Sequence, residues 1–245
     1  MPHPSQLITI TLLILGLAAC GSSDKNEAGA QPVSALSDAA RFDKDIRKNA
    51  CGLLTAEIVG ATFDIPADKL RQMKIAGCRY DWENDNEVLE TGILMIRAHK
   101  SEQSAAVWFG NATKTRTAEE MKADMEKAAK RIETTKSLDT EAKKSMAKGM
   151  LEATGSKAVK FEDVAGVGEE ARVNQDGTVY VRVDNLTFMV SAYKGSKAPP
   201  LDLAGVDIKQ MAAVAMKSAA QWASETAPQR KKDGAQLARA IVAEL

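Results

Sequence analysis

Residues 170–193 read EARVNQDGTVYVRVDNLTFMVSAY, and this stretch indicates the architecture of the chain. Its valines recur at every second position, the period of a strand that turns one face to a core: Val179, Val181 and Val183. Asp176-Gly177 is a hairpin signal before that strand, and Asp184-Asn185 turns the chain again after it. The stretch therefore predicts an antiparallel meander with strands at 170–173, 178–183 and 186–193.

Further strand patterns lie upstream of the meander. Residues 77–83 and 88–99 are rich in aromatic and branched side chains, and the polar run Glu83 to Glu87 between them is typical of a hairpin turn. A third pattern, at 157–163, directly precedes the meander. These segments predict additional antiparallel strands.

Helical patterns separate the strand regions. Thr55 is a plausible N-cap for a short helix at 56–60, and Ser101 for a helix that runs to Ala112. Thr117 and Glu120 form a capping box that opens a helix with one apolar face, made of Met121, Met125, Ala128, Ala129 and Ile132. The other predicted helical segments are 35–48, 67–73, 140–152, a helix from Asp207 that ends at Pro228, and 235–245.

Consecutive predicted strands alternate along the chain with consecutive predicted helices, and this order favours the α+β class. We expect one antiparallel sheet flanked by helices, with a helical hairpin inserted at 114–156. The predicted organisation is a signal peptide at 1–19, a polar and flexible tether at 20–34, and a single α+β domain at 35–245.

The N-terminus predicts the compartment. The apolar run Leu7 to Ala19 has about 13 residues, whereas a helix that spans a bilayer needs about 20. It ends in Leu17-Ala18-Ala19-Cys20, which resembles the lipobox of bacterial lipoproteins. The resemblance implies cleavage before Cys20 and a diacylglycerol on its sulfur, which would anchor the protein to a membrane. Gly21 resembles the outer-membrane class of lipoproteins that face the periplasm. The alternative is a protein whose first helix is apolar and buried.

Besides Cys20 the chain has two cysteines, Cys51 and Cys78, which allow a single pairing. In an oxidising envelope such a pair is expected to form a disulfide. A two-cysteine metal site and a reactive thiol are the alternatives, although His99 is the only histidine after Cys20 and no C-x-x-C spacing occurs.

Short motifs around these cysteines carry a second resemblance. Cys51-Gly-Leu-Leu-Thr55, Cys78-Arg-Tyr-Asp-Trp82 and the stretch Val164 to Ala171 resemble small, uncharacterised envelope lipoproteins with a PsbP-like α/β/α sandwich. The similarity covers roughly 50–100 and 157–225 and leaves out 114–156. It implies a fold and no catalytic residues.

Charge and composition exclude several functions. Lys plus Arg and Asp plus Glu are 33 each, so the chain lacks the basic footprint of a nucleic-acid binder. Gly166-x-Gly168-x-x-Ala171 matches a dinucleotide motif, but a predicted strand follows where that site needs a helix.

His99, the sole candidate general base, lies at a strand end, where a cap or turn role is more common. The acidic run Glu83, Asp85, Glu87 and Glu90 has either a calcium-binding or a solvated-turn interpretation. No cofactor is expected.

The helical insertion carries the most distinctive predicted surface. Met121, Met125, Met146 and Met150 would suit an adaptable groove for a protein partner or an acyl chain. Basic residues outnumber acidic ones by 12 to 8 over 114–160, which would also favour anionic lipid. The simpler interpretation is a helical pair that packs on itself or on the sheet.

These observations favour a lipid-anchored, non-enzymatic envelope lipoprotein that binds a protein partner or an amphiphilic ligand. A hydrolase that uses carboxylates, and a structural surface lipoprotein without a specific ligand, are the alternatives.

Overall fold

The computed structural model of the chain describes residues 40–73, 77–135, 140–141, 143–145, 147, 158–200 and 208–245. The predicted signal peptide and tether, with Cys20, lie outside these residues. By contact density the chain divides into two compact units, a sheet unit that includes 35–117 and 158–245 and a helical unit that includes 118–157.

The sheet unit is built on seven antiparallel strands, which confirms the predicted α+β class. Their spatial order is β1-β2-β3-β7-β6-β5-β4. The strands are β1 Arg71–Met73, β2 Cys78–Glu83, β3 Glu87–Ala98, β4 Phe161–Asp163, β5 Glu170–Asn174, β6 Val179–Val183 and β7 Leu186–Ser196. The helices are α1 Ala50–Leu53, α2 Ala56–Phe63, α3 Glu102–Ala112, α4 Ala118–Thr134 and α5 Ile208–Ala243.

Side-chain amides shape two of the hairpin turns. The Oδ1 atom of Asn84 accepts the backbone N–H groups of Asn86 and Glu87, and Asn174 does the same for Asp176 and Thr178. Such turns let a short polar side chain replace a backbone partner. Both turns lie where the sequence predicted them.

The two faces of the sheet carry different layers. The inner face, with Leu186, Phe188 and Val190, belongs to the main core and packs against residues of α2 and of the C-terminal half of α5, including Val59 and Leu237. The outer face bears Thr187 and Met189 instead, and α3 covers it over β6 and β7. All of β6 is therefore buried, including Tyr180 and Arg182, which the alternating valines alone did not predict.

The last helix differs from its prediction. Instead of ending at Pro228 and restarting at 235, α5 is one helix with Pro228 inside it. Tertiary contacts beyond the proline account for this. β6 pairs with β7 only as far as Val190, and past that point the carboxylate of Asp233 accepts the free N–H of Lys194 at 2.7 Å. Gly234 also lets the helix approach the carbonyl of Gly177, because a Cβ there would lie 2.9 Å from that oxygen.

Three other predicted segments are shorter or different. The helix expected at 35–48 is, in its described part, a 3₁₀ helix at Lys44–Lys48 that Asp43 caps. The helical turn at 67–73 becomes a 3₁₀ turn at Ala67–Lys69 followed by β1, since Arg71 to Met73 pair with β2. The strand at 157–163 is confined to β4, with Val159 in a separate bridge to Arg116.

The helical unit contains α4, which begins directly after Thr117 as predicted. Glu141, Lys143 to Ser145 and Ala147 are also helical, and the ammonium of Lys144 lies 3.6 Å from the carboxylate of Glu133 on α4. The rest of the helix predicted at 140–152 lies outside the described residues.

Candidate functional site

His99 is the first candidate for a general base, since it is the only histidine among the described residues. It follows the end of β3, and its backbone N–H donates to the carbonyl of Asn185 at 2.7 Å. Its Nε2 atom lies 2.9 Å from the Oγ1 of Thr187 on β7. The side chain of Asn185, wholly buried, donates to the carbonyls of His99 and Phe42 and so holds this end of the sheet together.

The surroundings of His99 keep its imidazole neutral. Burial, and then the positive charge of Arg97, lower the pKa of His99 to about 4. The indole of Trp108 lies against it with a centroid distance of 5.6 Å, and the guanidinium of Arg97 lies over the same indole. A neutral imidazole beside a hydroxyl is the arrangement that nucleophilic catalysis uses.

Access, however, argues against catalysis by this pair. Thr187 has no exposed surface, because α3 and the neighbouring strands cover it. A substrate would have to reach Oγ1 through that layer. The arrangement therefore fits the simpler interpretation of His99 as a turn residue, here one that fastens the end of β3 to β7. Sequence reasoning missed Thr187, which lies 88 residues away.

Arg182 forms a second charged cluster on the outer face. It lies across from Thr187 in the β6–β7 ladder, and its guanidinium pairs with the carboxylates of Glu169 and Glu170. Its side chain is 6% exposed and its Nε has no hydrogen-bond partner. Because two carboxylates already pair with this guanidinium and little of its surface is exposed, Arg182 is poorly placed to bind a ligand.

The loop before β5 explains the glycine motif. Gly166 and Gly168 have φ values of +70° and +56°, and a Cβ on Gly168 would lie 2.6 Å from the carbonyl of Arg182. The loop leads into β5 rather than into a helix, so it presents no helix N-terminus to a pyrophosphate. The glycines serve a tight bend, and the dinucleotide interpretation is excluded.

The carboxylates of the acidic hairpin differ in their exposure to solvent. Glu83, Asp85 and Glu87 are exposed at or beside the turn, while Glu90 is half-buried on the outer face. Glu90 lies directly opposite Asp81, whose Oδ2 is 3.5 Å from Arg71 and whose Oδ1 is buried without a hydrogen-bond partner. Among the described residues, no three His, Cys, Asp or Glu side chains come together as metal ligands.

The cysteine pair is a disulfide, as the sequence predicted. It joins Cys51 on α1 to Cys78 on β2, with Cα atoms 5.0 Å apart. Cys78 is fully buried, beside the carbonyl of Leu54. The bond rules out the alternatives of a thiolate metal site and a free reactive thiol.

The predicted methionine surface is only partly within the described residues. Met121 and Met125 are half-buried on one face of α4, with Ala128, Ala129 and Ile132 on the same stripe. Met146 and Met150 lie outside the described residues. The structure thus brings two of the four predicted side chains together.

An open depression of about 460 Å³ is lined by the apolar side chains of Phe42, Ile46 and Leu53, by Gly52, and by the polar or charged side chains of Arg41, Asp43, Asp45 and Asn49. More of its lining side chains are polar than apolar, so the depression does not favour an amphiphilic ligand over a polar one.

Comparison of this chain with protein families, with curated proteins and with solved structures finds no match. Across the part of the chain that the structure describes, none of the helices is both long enough and apolar enough to cross a membrane.

Proposed function

We propose that this protein is a lipid-anchored lipoprotein of the bacterial cell envelope that binds a protein partner or an amphiphilic ligand without catalysing a reaction. The helical unit carries the proposed binding surface. The lipid on Cys20 would hold the protein on a membrane, with the outer membrane and its periplasmic side as the proposed location.

The proposed anchor rests on the N-terminal sequence. A short apolar run ends in Leu-Ala-Ala-Cys20, and a tether rich in small polar residues follows. Two or more acyl chains anchor a protein durably, whereas one chain binds only marginally. The disulfide between Cys51 and Cys78 supports an oxidising compartment, because such bonds are rare where thiols are kept reduced.

Mass spectrometry tests the anchor directly. Trypsin cleaves after Lys25, so the peptide from Cys20 to Lys25 should carry the mass of a diacylglycerol in protein purified from membranes. The Cys20→Ala variant should lose that mass and leave the membrane fraction. An intact Met1, or an unmodified Cys20 in membrane-bound protein, would contradict the anchor.

The binding role rests on one observation, the half-buried apolar stripe of α4. Its charged residues, apart from Asp124, lie on the exposed remainder of the helix, so the stripe is the one apolar surface that α4 offers. Methionine side chains are flexible and polarizable, which lets such a stripe adapt to partners of different shape.

Paired substitutions test the stripe. Met121→Gln with Met125→Gln keeps side-chain length and helix propensity but removes the apolar surface. Crosslinking in cells, followed by purification and mass spectrometry, should show capture of partner or lipid reduced at least about tenfold, which corresponds to about 1.4 kcal/mol. Lys122→Gln with Glu126→Gln, on the exposed side, is the matched control and should capture normally.

Capture that is equal in both pairs would argue against the stripe. If native protein captures neither protein nor lipid, the structural lipoprotein without a specific ligand becomes the better description.

The carboxylate hydrolase keeps one observation in its favour. Asp81 and Glu90 are cross-strand partners on the outer face. Most glycoside hydrolases use a pair of carboxyl groups as their catalytic residues. Turnover of chromogenic glycosides and esters that disappears in Asp81→Asn and Glu90→Gln, and persists in the turn variant Asp85→Asn, would favour the hydrolase over a binding protein.

A further inference from the structure

Among the residues whose side chains the structure describes, the core of the sheet unit contains no methionine. Its buried hydrophobic side chains are those of Leu, Ile, Val, Phe, Tyr, Ala and Cys. Methionine is ordinarily among the more buried residue types. Five of the ten methionines of the chain have described burial, and none of these five lies in the core.

The methionines with described burial occupy half-buried positions instead. These residues are Met73, Met95, Met121, Met125 and Met189. Met95 and Met189 face each other across β3 and β7 on the outer face of the sheet, and Met73 lies on the edge strand β1. Met121 and Met125 belong to the stripe of α4. Each of these five residues is therefore outside the fully buried core and partly exposed to solvent.

The thioethers of these five residues are oxidisable sulfur atoms. Cys51 and Cys78 are already joined, so they hold no free thiol. Hydrogen peroxide converts a thioether to the sulfoxide: the sulfur takes one oxygen atom and loses two electrons, the O–O bond breaks, and water leaves. The product is polar and chiral, and reductases can reverse the step.

We propose that these half-buried methionines are oxidation sites, at which oxidants of the peroxide class form methionine sulfoxide in the folded protein. The described core residues stay apolar because none of them offers a thioether to the oxidant. At Met121 and Met125 the modification makes the stripe of α4 polar. This last consequence rests on the proposed function, since it would weaken binding at that stripe.

Oxidation rates measured residue by residue test the proposal. Native protein and protein unfolded in urea are treated with hydrogen peroxide, and peptide mapping follows the gain of one oxygen at each methionine. We expect each of the five side chains to react in the native state within about tenfold of its unfolded rate, because reactivity follows exposure.

A methionine placed in the core supplies the internal reference. Leu237→Met is a volume-conserving change at a fully buried position. The methionine introduced there should react at least about 100-fold more slowly than in urea, since it is reached only when the structure opens. Leu89→Met, also fully buried, serves if the first variant fails to fold.

Two results would overturn the proposal. One is protection of the five methionines as strong as that at position 237 or 89. The other is that peroxide treatment unfolds the protein before the sulfoxides form, which would appear as loss of the cooperative transition in urea.

A separate arm addresses binding. If oxidised protein loses capture and methionine sulfoxide reductase restores it, the stripe is the binding surface and oxidation controls it. If the sulfoxides form but capture is unchanged, the oxidation sites stand and the proposed role of the stripe fails.

Discussion

At the scale of single residues, His99 and Asp233 show how polar side chains fasten the ends of strands. His99 contacts Thr187 after β3 ends, and Asp233 accepts an N–H of β7 after β6 ends. A buried backbone group without a partner destabilises a fold by about 1–3 kcal/mol. Both side chains therefore have a structural role that acidity and substitution can test.

The lowered pKa of His99 predicts that acid destabilises the folded protein. The folded state holds it neutral, with a pKa of about 4, whereas the unfolded chain protonates it near 6.5. Protons therefore bind the unfolded state first, and the free energy of unfolding should fall as the pH drops from 6.5 towards 4. The pKa difference of about 2.5 units corresponds to a loss of about 3 kcal/mol once the pH has fallen to 4.

Urea unfolding of native protein and of the His99→Gln variant, at pH 7 and at pH 4.5, measures the loss of stability that His99 contributes. Other titrating groups act on both proteins alike, so the native protein should lose more stability than the variant. Parallel losses in the two proteins would argue that His99 is not held neutral.

Asp233 predicts a contrast between two substitutions. Burial raises the pKa of this carboxyl, although the N–H of Lys194 and the amide of Gln229 both donate to it. Asp233→Asn keeps an acceptor for Lys194 and removes the buried charge, so it should be as stable as native protein at pH 7. Asp233→Leu should destabilise by about 1–3 kcal/mol, because the N–H of Lys194 loses its partner. Equal effects of both changes in chemical denaturation would contradict this role.

At the scale of elements, α5 shows tertiary packing overriding a local rule. Proline inside a helix removes one N–H donor and crowds the carbonyl four residues earlier, at a cost of about 3 kcal/mol. The contacts of α5 with β6 and β7 compensate for that cost.

Pro228→Ala should therefore stabilise the protein. Pro228 is exposed, so the change sacrifices little packing, and alanine restores the N–H. Greater freedom of the unfolded chain offsets part of the gain, which leaves about 1–3 kcal/mol in the free energy of unfolding. Glu225→Ala, exposed one turn earlier, is the control and should change stability by less than about 0.5 kcal/mol. A less stable Pro228→Ala protein would mean that the proline shapes the helix in a way that packing requires.

The disulfide belongs to the same scale, because it ties α1 to β2 across a separation of 27 residues. Replacing Cys51 and Cys78 together by alanine should lower the free energy of unfolding by about 3.5 kcal/mol, because the unfolded chain regains conformational freedom. Reductant should destabilise native protein by a similar amount and leave the double variant unchanged. A double variant as stable as native protein would show that the bond adds nothing to this fold.

At the scale of the whole molecule, the chain leaves and rejoins the sheet unit at adjacent points. Arg116 and Val159 exchange two backbone hydrogen bonds, at 2.8 and 3.0 Å, on either side of the helical unit. Such a pair is closed in many proteins by a two-residue hairpin loop.

Replacing residues 117–158 by Asn-Gly should therefore leave a sheet unit that folds alone. Asn-Gly suits the turn that such a loop requires. Circular dichroism and urea unfolding should show one cooperative transition, and the disulfide between Cys51 and Cys78 should still form. A shortened protein without a cooperative transition would show that the sheet unit needs the helical unit in order to fold.

The meander, the two asparagine turns and the caps at Thr55 and Ser101 could be predicted from sequence, because they depend on neighbours a few residues away. The disulfide was predictable by elimination, and the lipid anchor and the identity of any partner stay predictions. The partners of His99 and the paired carboxylates of Asp81 and Glu90 were not predictable in this way, because strand order and register bring them together.

Local chemistry by itself thus determined where strands alternate, where the chain turns and which class of fold results. Tertiary structure alone decided that β1 is a strand, that α5 continues through Pro228 and that both faces of β6 are buried. In each of these cases the deciding contact is made with another element of the fold, and at Pro228 such contacts outweigh a local cost of about 3 kcal/mol.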